Sequence, residues 1–195
     1  QCFEDGYRNY PVNIMFSYYG PMHDGVVWDL ALQPRNTSLS RTWQLLDPPD
    51  GDRIGECLQS GHTLEEAVQL AQLMRDHWQE GITYLPQNTP FEQRSVADAL
   101  QLLFASGYNI LKFYQLRYQL LKCSTDADSV LDEMMSIVED EVQNSKKMIP
   151  LCEVDPRLGY HSEAEGYKFF PEKLSNRIDK LYTLKEVEFP AARNQ

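Results

Sequence analysis

The sequence predicts a mainly α fold: an up-and-down helical bundle over residues 61–195, preceded by an N-terminal irregular or β-hairpin arm over residues 1–60. Three observations carry this reading. Two helix-start signals, at Thr63 and Thr89, are each followed by a long apolar stripe at helical spacing. A third stripe follows after a short polar break near residue 125. Residues 1–60, by contrast, are rich in Pro, Gly and aromatics and show no helical period.

Within the arm, "VNIMFSYY" (12–19) reads as a strand that is apolar on both faces, and "VVWDLAL" (26–32) alternates as a second strand. "GPMHDG" between them supplies a turn with an Asp-Gly signal, and "DPPDGDR" (47–53) a second turn. A strand with two apolar faces and an open edge seeks a partner. Residues 1–60 are therefore expected to cover apolar surface against another body, either a missing catalytic domain or a second copy in a homodimer.

The first long helix is expected over 63–80. Thr63 can cap Glu66 and Glu66 can reach back; Leu64, Ala67, Val68, Ala71, Met74 and Trp78 form one stripe, and Gly81 ends it. The second, over 90–122, opens with Thr89, Pro90 and Glu92 and buries Val96, Leu100, Leu103, Phe104, Leu111, Tyr114, Tyr118 and Leu121. At about 1.5 Å per residue it approaches 50 Å, and Gly107 in its middle suits a close approach of another element. The third, over 126–149, uses Leu131, Met134, Met135, Val138, Val142, Ile149 and Cys152, with Asp132, Glu133, Glu139, Asp140 and Glu141 read as its solvated face. Pro150 is expected to kink or end it. A shorter helix follows Pro171, with Leu174, Ile178 and Leu181 inward.

The bulk numbers exclude several function classes. At 195 residues the chain can bury a sizeable core. A net charge of −11 without Lys/Arg clusters argues against a nucleic-acid backbone and against anionic membrane surfaces. No apolar run reaches the roughly 18 residues a membrane span needs. The four cysteines match no metal or redox spacing; Cys152 reads as a small core residue and Cys2 as the candidate reactive thiol. No phosphate loop or nucleophile elbow is present, no cofactor is implied, and no pair of histidines has metal-ligand spacing. The chain begins "QCFEDG", with Gln1 rather than Met, which reads as the C-terminal part of a larger protein.

Two stretches concentrate chemistry. Around the 20–25 turn, Tyr18, Tyr19, His23, Asp24 and Trp28 set flat aromatic faces beside polar tips, a pattern that suits ring-shaped polar ligands such as sugars. In "DPRLGYHSEAEGYKFF" (155–170), Arg157, Tyr160, His161 and Glu163 fall close together, with Glu165 and Tyr167 beside them. The bland reading of this second stretch is a structural clasp. Asp155-Pro156 ends the third helix, Gly159 permits a turn, and Arg157 forks onto a carboxylate. Tyr160, Tyr167, Phe169 and Phe170 then pack back on the bundle. In that reading losing the Arg157 pair clearly lowers stability.

"SYYGPMHDGVVWDLAL", "GECLQSGHTLEEAVQLAQLMRDHWQEG" and "CEVDPRLGYHSEAEGYKFFPEKLSNRIDKL" together resemble the C-terminal region of large glycoside hydrolase-like proteins of gut Bacteroidetes, in which a helical region follows a (β/α)-barrel and closes with a D-x-R-L-G-[YW] segment like Asp155–Tyr160. The resemblance implies a carbohydrate-linked, non-catalytic accessory part, secreted or periplasmic, since the chain is shorter than the roughly 250 residues a complete barrel takes. The alternative reading is a self-contained helical interaction or scaffold module that uses its acidic faces.

Overall fold

The computed structural model describes residues 1–11, 25–33, 62–122, 126–161 and 166–194. The expected strand at 12–19 and the turns at 20–24 and 47–53 lie outside the described residues. The described chain is a helical bundle: α1 (Cys2–Arg8), α2 (Leu64–Thr83), α3 (Phe91–Lys122), α4 (Ala127–Val154), α5 (Pro171–Thr183) and, after a π-helical turn at Leu184–Glu188, α6 (Phe189–Arg193). Successive long helices pack on one another, α2 on α3, α3 on α4 and α4 on α5. Cross-helix pairs run in opposite directions: Ser106 with Asn144 and Asn109 with Glu141 join α3 to α4, and Glu139 with Lys185 and Asp132 with Arg193 join α4 to the C-terminal elements. The up-and-down arrangement is the expected one.

Local chemistry sets most boundaries. The capping box at α2 forms as expected. Thr63 Oγ1 accepts from the Glu66 N–H at 3.2 Å, and Glu66 accepts from the Thr63 N–H at 2.8 Å. This holds the Glu66 carboxyl below the usual carboxylate range, so the cap stabilises the helix above that range and is lost as pH falls through the lowered value. The second expected box does not form. Thr89 Oγ1 donates instead to the Pro86 carbonyl at 2.6 Å, within the turn that precedes α3.

Three expectations are corrected. Gly81 does not end α2, which runs to Thr83; a Cβ on Gly81 would lie 2.6 Å from the Phe3 ring, so the glycine is there to let α1 lie against α2. Pro150 does not end α4, which continues to Val154. Pro150 is exposed, while Met148 and Cys152 on either side are buried at 0 % and 3 % exposure, so packing carries the helix past the missing N–H. Residues 26–32 are not a strand. They form a 3₁₀ turn at Gly25–Val27 and then an irregular run that pairs with no strand, and apart from the half-buried Asp29 they are buried from Val26 to Leu32. The arm also holds the short helix α1, which its composition had not suggested.

The core has two parts. The larger joins Trp28, Leu30 and Leu32 to the stripes of α2, α3, α4 and α5 and to Phe189. The smaller gathers Val26, Val27, Ala99, Leu102, Met148, Cys152, Phe169 and Leu174. Because α2, α4 and residues 25–33 all lie against α3, its middle is buried on most of its circumference. Val96 and Leu121, expected inside, are about half exposed near its ends.

The 155–170 stretch is a 3₁₀ turn (Pro156–Gly159) and a two-stranded ribbon, β1 (Tyr160–His161) paired antiparallel with β2 (Gly166–Tyr167). Phe169 is buried, while Phe170 and the two tyrosines stay partly exposed. Gly159 serves close approach rather than a positive φ: a Cβ there would sit 2.0 Å from the Phe169 carbonyl oxygen, and the Gly159 carbonyl accepts from the Lys168 N–H at 2.8 Å. Gly159→Ala must push backbone against backbone and is expected to lower urea-unfolding stability by about 1–3 kcal/mol. An unchanged midpoint would show that this approach is not a constraint.

Candidate functional site

The strongest polar constellation among the described residues lies inside the bundle, where α3, α4, α5 and residues 25–33 meet. Glu141, Asn144 and Ser145 stand at i, i+3 and i+4 on α4, hence on one face. Arg177 projects from α5 between Leu174, Ile178 and Leu181 of the inward stripe. Its side chain is 2 % exposed and that of Glu141 0 %.

Every atom type of the guanidinium is engaged. Nη2 donates to Glu141 Oε2 at 2.7 Å, Nη1 to Ser145 Oγ at 3.0 Å and Nε to the Trp28 carbonyl at 2.9 Å. The other carboxylate oxygen, Oε1, accepts from Asn109 Nδ2 and from Asn144 Nδ2, both at 2.8 Å. Asn144 also reaches Ser106 Oγ at 3.3 Å, and Ser145 Oγ lies 3.4 Å from the Val26 carbonyl. A buried charge pair is tolerated only with this degree of satisfaction. The arrangement holds four pieces of chain in register. Its hydroxyls, amides and charged groups are engaged with one another and with main-chain carbonyls.

Beside it opens a crevice of about 360 Å³ lined by Asp29, Leu30, Arg177, Lys180, Leu181, Thr183 and Glu188. Lys180 Nζ pairs with Asp29 Oδ2 at 3.0 Å across it. A second crevice, about 320 Å³, lies over α3 between α2 and α4, with Ile82, Leu102 and Leu151 at its base and Asp98, Gln101 and Lys147 around it.

The described structure covers only part of the residues singled out in the sequence. Tyr18, Tyr19, His23, Asp24 and Glu163 lie outside the described residues, and His161 is described only through its backbone pairing with Gly166. Trp28 is fully buried in the core, so its ring faces no solvent in this structure. Tyr160 is half exposed and meets Tyr167 edge-to-face, ring centroids 5.4 Å apart. Arg157 does fork onto a carboxylate, Nε to Asp155 Oδ1 at 2.8 Å and Nη2 to Oδ2 at 2.7 Å, but the partner is two residues away and the Arg157 side chain is 81 % exposed. The fork holds the Asp155 carboxyl below its usual range. An exposed local pair contributes little to stability, which corrects the expectation of a clear loss on its removal.

Glu141 is the matching correction. Read from sequence as part of a solvated acidic face, it is the acid classed as buried among the described residues, and Arg177 was not singled out at all. The signal was present in both stripes. Position 141 falls on the line of Val138, Val142 and Ser145, and position 177 on that of Leu174 and Ile178, so each apolar face carries one charge, of opposite sign.

Cys152 is buried as expected, and burial beside Asp155 pushes its thiol up to about 11. Among the described residues no group of three or more His, Cys, Asp or Glu side chains is placed to hold a metal ion, and no helix is long and apolar enough to cross a membrane. Comparison with protein-family models, with curated proteins and with solved structures returns no match to this chain.

Two outcomes are expected. Arg177→Met and Glu141→Leu should each destabilise by roughly 3–5 kcal/mol in urea melts, because each strands the other charge, while the double variant should cost clearly less than the sum; Arg157→Ala should barely move the midpoint. Strict additivity of the pair, or a large effect at Arg157, would contradict the assignment. In peptide mapping after iodoacetamide at pH 8, Cys152 should be labelled only once the protein is unfolded, since both burial and the raised thiol withhold the thiolate.

Proposed function

We propose that this chain is a non-catalytic helical module that acts by contact. The observation that carries this is the closed Arg177–Glu141 constellation: its charged groups are buried and fully engaged with each other, with amides and with main-chain carbonyls. A general acid or base must reach a proton on its substrate; Glu141 is fully buried, and Arg177, which borders the crevice beside Asp29 and Lys180, has its guanidinium nitrogens bonded to Glu141, Ser145 and the Trp28 carbonyl. The other ion pairs among the described residues have at least one exposed partner; some join neighbouring helices, and others lie within one helix or turn.

The version in which the module serves a carbohydrate-active protein rests on the sequence resemblance and on one feature of the surface. Tyr160 and Tyr167 form an aromatic pair, about half exposed, on the β1/β2 ribbon. Exposed aromatic faces of this kind stack on the apolar faces of sugar rings. The alternative, a protein-contact scaffold, needs no such pair, and there the tyrosines only stabilise the ribbon across its strands.

Affinity electrophoresis through gels containing plant and host polysaccharides separates these versions. Retardation by a polysaccharide that disappears in the Tyr160→Ala/Tyr167→Ala variant, with helical content intact, supports carbohydrate contact. Unretarded migration on every polysaccharide leaves the scaffold version. Turnover of aryl-glycosides that is abolished by Glu163→Gln would overturn the non-catalytic reading altogether.

A further inference from the structure

The helix that begins at Pro171 does not run on regularly into α6, and the break shapes the crevice beside Arg177. Arg177, Leu181 and Leu184 are buried along one stripe of α5 and the turn after it. At α-helical spacing the next place on that stripe is position 188, an acid. The π-helical turn at Leu184–Glu188 inserts one residue. The Phe189 N–H donates to the Leu184 carbonyl, five positions back, and Phe189 enters the core at 0 % exposure. Glu188 is thereby set at the edge of the stripe, half-buried in the wall of the crevice that Asp29, Leu30, Lys180, Leu181 and Thr183 also line. Single π turns inside helices recur at functional sites.

Charge decides what this crevice takes. Two cations line it, and each has its own acid: Arg177 is bonded to Glu141 at 2.7 Å and Lys180 to Asp29 at 3.0 Å. Glu188 makes no hydrogen bond or ion pair among the described residues. An acid taken partly out of water without a cation is costly, and packing Phe189 requires the extra residue but not an acid at 188. Thr183 Oγ1 donates its proton to the Asp179 carbonyl at 3.0 Å, which leaves that oxygen only lone pairs to offer. The groups left unused are therefore acceptors, beside apolar surface from Leu30 and Leu181. We propose that the crevice binds a small organic cation, a primary ammonium on a short apolar chain, with Glu188 as its counter-ion and the chain against Leu30 and Leu181. At about 360 Å³ the crevice lies at the lower end of the roughly 300–1,000 Å³ of small-molecule sites, which suits a ligand of that size. This adds a ligand to the contact module and stands whether or not the module serves a carbohydrate-active protein.

The test uses the full-length chain and pentylammonium as the probe, at about 0.15 M salt to screen diffuse attraction to a chain of net charge −11. Binding is followed through backbone amide shifts in a heteronuclear NMR titration. The expected result is a saturable titration with the largest shifts at Leu30, Leu181 and Thr183, weakened at least about tenfold in Glu188→Gln. Glu186 is an exposed acid two residues away that does not line the crevice, so Glu186→Gln should bind as wild type does. Pentanol keeps the chain without the charge and should bind at least about tenfold more weakly than the ammonium. Absence of saturation, or unchanged binding by Glu188→Gln, overturns the site. An equal loss in Glu186→Gln also overturns it, because the attraction is then diffuse. Equal binding of pentanol reduces the crevice to an apolar cavity and overturns the cation. If Glu188→Gln does not fold, the comparison of ammonium with alcohol in the wild-type protein decides.

Discussion

The ion pair between Arg177 and Glu141 is the constraint on which the rest of the described structure depends. Taking two charges out of water costs several kcal/mol each, and their attraction offsets this only when every remaining donor and acceptor is also met. Here that requirement recruits Asn109 from α3, Asn144 and Ser145 from α4, and the Trp28 carbonyl from residues 25–33. A slide of any one element by a residue would leave a buried charge or amide without its partner, at a cost of roughly 1–3 kcal/mol or more for each such group. Apolar stripes alone tolerate such slides far better, because Leu against Leu is nearly the same contact one turn away. The pair therefore selects one register among several that hydrophobic burial would accept.

The same logic explains why residues 25–33 lie inside the bundle. An irregular run has unpaired carbonyls, and burying them is unfavourable unless donors are supplied. Arg177, Arg117, Tyr114 and Ser145 supply them. With those carbonyls met, the core gains Trp28, Leu30 and Leu32 among α3, α4 and α5. The clasp at the far end of α4 is built on a different rule. There the decisive contact is steric, the approach of Gly159 to the Phe169 carbonyl, while the conspicuous charge pair of Asp155 with Arg157 is a surface feature.

Among the described residues the buried polar groups of the bundle are engaged with one another, while the aromatic pair on the ribbon, two crevices and the acidic helix faces are open to solvent.

The sequence by itself determined the long helices and the start of α5, though not the short α1. Capping at Thr63, the stripes of α2 and α4, Pro171 at the start of α5 and the inward Leu174, Ile178 and Leu181 are all local patterns, read within a few turns of chain. Up-and-down packing followed from them. Only the tertiary structure decided the candidate site, because its members stand far apart in sequence and each has an ordinary local reading: Glu141 as one acid in a run of acids, Arg177 as one more basic residue on a short helix, Trp28 as a rim aromatic. Whether a charge on an apolar stripe snorkels to solvent or is buried depends on what packs across from it. Arg157 shows the converse, a residue whose best partner lay two positions away and needed no fold to find it. Burial is a property of the assembled neighbours, so no window of sequence around Glu141 or Arg177 contains it.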